Sequence, residues 1–236
     1  MKPILLIETS TSVCSASLAL GTHILAQRQT TEPRAHASVL AVFIHQILEE
    51  CRLKATDCAA VAVSGGPGSY TGLRVGVSTA KGLCFGAGIP LIHVCSLELL
   101  AQLYIDKFML EEPLYICPMI DARRMEVYTA PFSVRNEKDT GKTAFKEGPV
   151  SALCVQHGSF SELLNQGPVM FIGDGAPKCK ELLVHRNARF ANLESHANGM
   201  AKAALRAFRQ NDFEDTAYYV PFYLKEYQVK QPKKDV

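Results

Sequence analysis

An apolar stretch, Ala59 to Val63, runs directly into Ser64-Gly65-Gly66-Pro67-Gly68-Ser69-Tyr70, and a helical pattern follows. This junction limits the fold more than any other segment. A short run that is apolar throughout reads as a strand covered on both faces, as in the sheet of an α/β protein. Thr71 is placed to cap the helix, which is expected to reach about Phe85 and to stop at Gly86 and Gly88.

The elements around the junction extend this reading. Ile4 to Ile7 is a second fully apolar run, ended by Glu8 and a polar turn. Cys14 to Leu20 and Ile24 to Gln29 follow across tight connections, which predicts an antiparallel meander. Val39, Leu40, Phe43, Ile44, Ile47 and Leu48 recur at helical spacing within Ser38 to Glu50. Leu91 to Val94 is a further strand, and Ser96 is expected to cap a helix through Leu103. The order βββαβαβα is that of one ribonuclease-H-like lobe.

A second lobe is suggested by a weak repeat. Cys117 to Ile120 is an apolar run ended by Asp121, then Ala122-Arg123-Arg124, then a return strand from Glu126 to Ala130. The hairpin after Ile4 to Ile7 has the same form about 113 positions earlier. Beyond it, Ser133 to Thr143 reads as a charged loop, Phe160 to Leu164 as helix, and Val169 to Ile172 as a strand into Gly173-Asp174-Gly175. Pro177 opens a helix expected to reach Val184, and His196 to Arg209 reads as another. The expected division is residues 1–103 and 104–236, with the last helix able to pack back on the first lobe.

Composition excludes some classes. Hydrophobic residues make up 47% of the 236, enough for a large core, and the formal charge of +2 lacks the excess of a stand-alone nucleic-acid binder. The eight cysteines contain no C-x-x-C pair and are expected to be reduced and mostly buried. The chain has no signal-peptide pattern and no run near the ~20 apolar residues of a membrane span, so a cytoplasmic protein is expected.

Chemistry-bearing patterns are sparse. Gly65, Gly66 and Gly68, with Ser69 and Thr71 at a helix start, could hold a phosphate or nucleotide, or could simply make a tight turn. No Lys-Ser/Thr pair follows them, so this is not a Walker A loop. Glu8, Asp121 and Asp174 stand where acids hold a metal in two-lobed phosphotransferases, yet Arg123 and Arg124 would crowd such a metal while being able to bind phosphate directly. No H-x-x-x-H metal pair and no G-x-S-x-G elbow occurs, so no catalytic residue and no metal ligand is assigned. Gly72, Gly76 and Ala80 form a bare stripe on the helix, where each glycine costs about 1 kcal/mol relative to alanine. Another helix or a backbone must pack close there, from this chain or from another subunit.

Three segments together carry a resemblance: Glu8-Thr9-Ser10, the run Ser64 to Gly76, and Ile120 to Tyr128, with Pro221 to Lys225 as a weaker fourth. The set resembles the TsaB (YeaZ) family of bacterial tRNA threonylcarbamoyladenosine synthesis. That resemblance implies a two-lobed actin-like α/β fold and a non-catalytic scaffold that activates a TsaD-like catalytic subunit. It also implies that a TsaE-like ATPase joins the pair, that tRNA is met only within the complex, and that the chain alone forms a homodimer. ATP or ADP and the metal are expected on the partner subunit. Pairing is expected through Val39, Phe43, Gly72, Arg74, Gly76 and Ala80. Two positions depart from the family pattern: Glu8 stands where aspartate is common, and Lys225 where arginine is usual. The alternative is a degenerate glycoprotease-like or kinase-like enzyme of the same superfamily. The lysines near the end, Lys230, Lys233 and Lys234, read as solvated.

Overall fold

The computed structural model describes residues 1–108 and 115–225; the terminal lysines lie outside them. The first lobe contains β1 (Ile4–Glu8), β2 (Cys14–Leu20), β3 (His23–Thr30), α1 (His36–Glu50), β4 (Ala60–Gly66), α2 (Tyr70–Ala87), β5 (Leu91–Cys95) and α3 (Ser96–Lys107). Its sheet runs β3-β2-β1-β4-β5, antiparallel through the meander and parallel from β1 through β4 to β5. Alternation sorts the central strands onto two faces. Leu5, Ile7, Val61 and Val63 pack under α1 and α2, while Ile4, Leu6, Ala60 and Ala62 face the other way. Burying each leucine or isoleucine is worth about 1.5–3 kcal/mol.

The second lobe contains β6 (Tyr115–Asp121), β7 (Glu126–Thr129), β8 (Phe132–Glu137), β9 (Gly141–Lys146), β10 (Ser151–Cys154), α4 (Ser161–Gln166), β11 (Val169–Ile172), α5 (Ala176–Cys179), β12 (Ala188–Ala191) and α6 (Ala201–Gln210). The order β10-β7-β6-β11-β12 repeats that of the first lobe strand for strand, with the same parallel and antiparallel pairs. The fold is therefore the two-lobed actin-like one, and the hairpin repeat read from Ile4–Glu8 and Cys117–Asp121 is real. The β8–β9 hairpin is an insertion in the second copy.

Several local expectations are corrected. β4 continues through Ser64, Gly65 and Gly66, so the glycine-rich loop shrinks to Pro67–Ser69. Ser69, not Thr71, caps α2, its Oγ accepting from the Gly72 N–H at 3.3 Å, because the helix begins at Tyr70. Ser96 lies inside α3, whose cap position is Cys95. Ser133 to Thr143 is mostly hairpin rather than loop. The helix opened by Pro177 lasts a single turn, since the chain must fold back to bring β12 beside β11. His196 caps a 3-10 turn, Ala197–Met200, before α6 begins.

The helices join the lobes. One side of α3 packs on the first sheet through Leu99, and the other packs on the second through Leu97, Leu100 and Tyr104. A boundary after residue 103 thus falls inside a helix shared by both lobes. α6 packs back on the first lobe, with Ala203 and Ala204 against Ile92 and Val94. All eight cysteines are free thiols; five are buried and Cys154 is exposed. No helix among the described residues is long and apolar enough to cross a membrane.

Candidate functional site: the cleft between the lobes

The ends of β1, β6 and β11 meet across a cleft of about 820 Å³, lined by Ser10, Thr71, Asp121, Asp174 and the segment Phe222–Lys225, among others. Sequence reasoning offered three acids for such a place, and the structure gives each a different task. Glu8 is fully buried beneath the turn that follows β1. Its Oε1 accepts from the Ser10 N–H at 2.8 Å and the Ser10 hydroxyl at 2.5 Å, while Oε2 has no hydrogen-bond partner. Burial pushes its carboxyl above the usual range, partly offset by the serine hydrogen bonds.

Asp121 is exposed at the cleft but already committed: its Oδ1 accepts from the Arg123 N–H at 2.8 Å and is ion-paired with Lys178. Asp174 accepts from the Asp121 N–H at 2.9 Å, tying the two strand ends together. Desolvation raises its carboxyl, with the Asp121 charge adding to the shift. Lys178 went unnoticed in the sequence, where nothing links it to an acid far upstream.

The glycines are also taken up by the chain itself. A β-carbon on Gly65 would collide with the His93 ring and the Tyr219 hydroxyl, and one on Gly66 with the Phe222 carbonyl. The Phe222 N–H donates to the Gly65 carbonyl at 2.7 Å. Gly65 and Gly66 are thus covered by the C-terminal segment and are not open to a phosphate, which corrects the nucleotide-contact expectation for them. Gly68, Ser69, Thr71 and Asp174 do reach the cleft.

That C-terminal segment is a strap. Glu214 bridges to Leu91, the Lys81 ammonium donates to the carbonyls of Ala217 and Tyr219 at 3.1 and 2.9 Å, and the Tyr219 hydroxyl meets His93 Nδ1 at 2.6 Å. Tyr223 stacks on Tyr70 at 4.7 Å, and Lys225 pairs with Glu126 on the second lobe. The segment was visible in the sequence only as the Pro221 to Lys225 motif, with no hint of its course.

The stripe on α2 is corrected too. Gly72 and Gly76 face the Thr9 turn of the same chain, and Ala80 is buried in the core under α1. These three cannot meet a partner helix. Val39 and Phe43 remain half-buried on α1, and Arg74 is exposed with its guanidinium 4.2 Å from the Tyr70 ring. The solvent face of α2 carries Ser78, Gly82, Phe85 and Gly86; Phe85 is 88% exposed, and a β-carbon on Gly82 or Gly86 would meet nothing. The neighbouring α1 adds Val42, also exposed.

A family model, TsaD: tRNA N6-adenosine threonylcarbamoyltransferase, matches residues 23–232. The tRNA threonylcarbamoyladenosine biosynthesis protein TsaB of Bacillus subtilis is 28% identical over 228 residues, covering 94% of this chain and 93% of that one. The Escherichia coli protein of the same name is 35% identical over 129 residues, 55% of this chain and 54% of that one. YeaZ from Pseudomonas aeruginosa superposes with a TM-score of 0.81 at 24% identity, covering 95% of this chain and all (100%) of that one, a likeness of fold. A match that begins in β3 and passes the strap, joined to the repeated lobes and the glycine-rich β4–α2 junction, means that the chain belongs to the TsaD-type family of tRNA threonylcarbamoyladenosine proteins, in its TsaB (YeaZ) branch.

Proposed function

We propose that this chain is a non-catalytic accessory subunit in tRNA threonylcarbamoyladenosine synthesis, pairing with a TsaD-like catalytic subunit that a TsaE-like ATPase joins. The near full-length likeness to a TsaB protein carries the pathway. The state of the cleft acids supports the accessory role. Glu8 is buried under a turn, and Asp121 is neutralised by Lys178. A carboxylate so engaged is a poor metal ligand or general base.

The pairing surface we infer is the outer seam of α1 and α2: Val39, Val42 and Phe43 on one helix, Gly82, Phe85 and Gly86 on the other. A nearly bare phenylalanine flanked by two open glycines suits a helix laid closely across it. The same seam serves the homodimer of the free chain, so partner and second copy compete for it. Nucleotide and metal sit on the partner.

Co-expression with the TsaD-like protein of the same organism is expected to give a stable complex, and Phe85→Asp to abolish it and to leave the isolated chain a folded monomer with an unchanged circular-dichroism spectrum. A complex that survives Phe85→Asp rejects the seam. Isolated chain that turns over ATP well above background, or normal tRNA modification in cells without it, rejects the accessory role.

A further inference from the structure

We infer that the β8–β9 hairpin is a clamp that fixes the angle between the two lobes and keeps them from hinging. The hairpin belongs to the second lobe, which β8 joins through the bridge from Phe132 to Ile116, at the end of β6 far from Asp121. From there it passes over α3 to α6, the helix that packs on the first lobe. Lys202, Arg206 and Arg209 recur at i, i+4 and i+7, so α6 carries three cations on one side while Ala203 and Ala204 face its apolar floor. That cationic side meets the hairpin. The Arg209 guanidinium pairs with Asp139 at 3.0 Å and Arg206 approaches Glu137 at 3.9 Å, while the Lys202 ammonium donates to the Lys142 carbonyl at 2.8 Å. Arg206 and Lys202 are also anchored to α3, through Glu98 at 2.6 Å and Asp106 at 2.8 Å.

Burial decides which of these contacts matter most. The Arg209–Asp139 pair is exposed and open to screening by salt. Gln102 of α3 is only 4% exposed and spans the clamp. Its Nε2 donates to the Lys142 carbonyl at 3.2 Å and to the Asp106 carboxylate at 2.9 Å, and its Oε1 accepts from the Ala144 N–H at 3.0 Å. The Lys142 carbonyl therefore accepts from α3 and α6 at once. Turning the second lobe against the first would pull Lys142 away from Lys202, or lift α6 off Ile92 and Val94. The first leaves polar groups short of partners and the second bares apolar surface. No residue of the hairpin lines the cleft, so the clamp acts on it at a distance, by holding the lobes that form its walls. Two-lobed folds commonly close around a ligand by hinge motion. Here the inserted hairpin braces the hinge, and this stands whether or not the accessory reading holds.

The test is measurement of residual dipolar couplings on the backbone amides of the full chain in solution, which report how each lobe is oriented in a common frame. In wild type both lobes are expected to fit a single alignment. The triple variant Lys202→Gln, Arg206→Gln, Arg209→Gln strips the cations while keeping good helix formers in α6. It is expected to loosen the lobes in part. Adding Gln102→Leu removes the buried centre of the clamp, and the second lobe's alignment is then expected to fall below the first lobe's by about a third. Lys225→Gln removes the ion pair from the strap to the second lobe and is expected to keep the single alignment. The inference is overturned if wild type already needs two alignments, if the quadruple variant keeps one, or if Lys225→Gln loosens the lobes as much. Stability lost with the single alignment intact would make the contacts ordinary packing and overturn it equally. Should the quadruple variant not fold, the triple variant decides alone, and an unchanged single alignment in it rejects the clamp.

Discussion

The hydroxyl of Thr9 occupies the place a β-carbon on Gly76 would need. The bare stripe of α2 is therefore the chain's own socket for the turn after β1, whose Thr9 carbonyl fills the hollow at Gly72 in the same way. Gly76→Ala is expected to cost about 1–3 kcal/mol by overpacking, whether or not a partner is present. Gly82→Ala, with open space around it, should hold or gain stability, up to about 1 kcal/mol from helix propensity. Urea unfolding of the two variants decides it; wild-type stability in Gly76→Ala would refute the socket.

Glu8 ties stability to pH. Its folded pKa lies above 4.5 because burial penalises the charge. The folded state therefore holds a proton that the unfolded chain releases, and stability falls as pH rises from about 4.5 through the folded pKa. Glu8→Gln keeps the shape without the charge. It should flatten that decline and be at least as stable as wild type at pH 8, whereas Glu8→Ala should lose about 2 kcal/mol or more to a cavity. Denaturant midpoints across pH would expose the error if Glu8→Gln were the weaker of the two.

His93 acts with the opposite sign. Burial lowers its pKa from 6.5, so the unfolded chain takes up a proton that the folded one resists. Stability is full above that value and falls as pH drops below it. His196, lowered by burial as well, contributes in the same direction. His93→Gln is expected to remove part of the acid slope, while Tyr219→Phe, which deletes the hydroxyl facing Nδ1, should cost about 1–2 kcal/mol at neutral pH. An unchanged slope in His93→Gln would assign the acid response to other groups.

The Lys225–Glu126 pair joins the strap to the second lobe, but Lys225 is 41% exposed. Lys225→Ala is expected to shift unfolding by less than about 1 kcal/mol, and less again in high salt. A larger loss would mean that the strap's end carries weight the ion pair alone does not explain.

The first lobe was legible because its signals are local. Apolar strands, tight turns and the helical spacing from Val39 to Leu48 each act over a few residues. The hairpin at Ser133 to Thr143 was not. Only one of its faces meets the core, through Phe132, Val134 and Ala144, and its charged positions such as Arg135 and Lys142 imitate a loop. In the cleft, the acids at strand ends could be found, but not the lysine that neutralises Asp121. The stripe announced that something lies close to α2. What lies there is a carbonyl and a hydroxyl from a turn far upstream, and such contacts leave no mark in a hydrophobic pattern.

Ala203 and Ala204 complete the apolar floor beneath Ile92 and Val94, although about a hundred positions separate them in sequence. On the ribosome, the amino-terminal half must wait with one side of its sheet uncovered until α6 emerges. A fragment cut after α3 would keep Leu99 on this face but uncover much of Ile4, Leu6, Ala60 and Ala62, and is expected to be prone to clump. Synthesis to near the last helix is the event that closes this face.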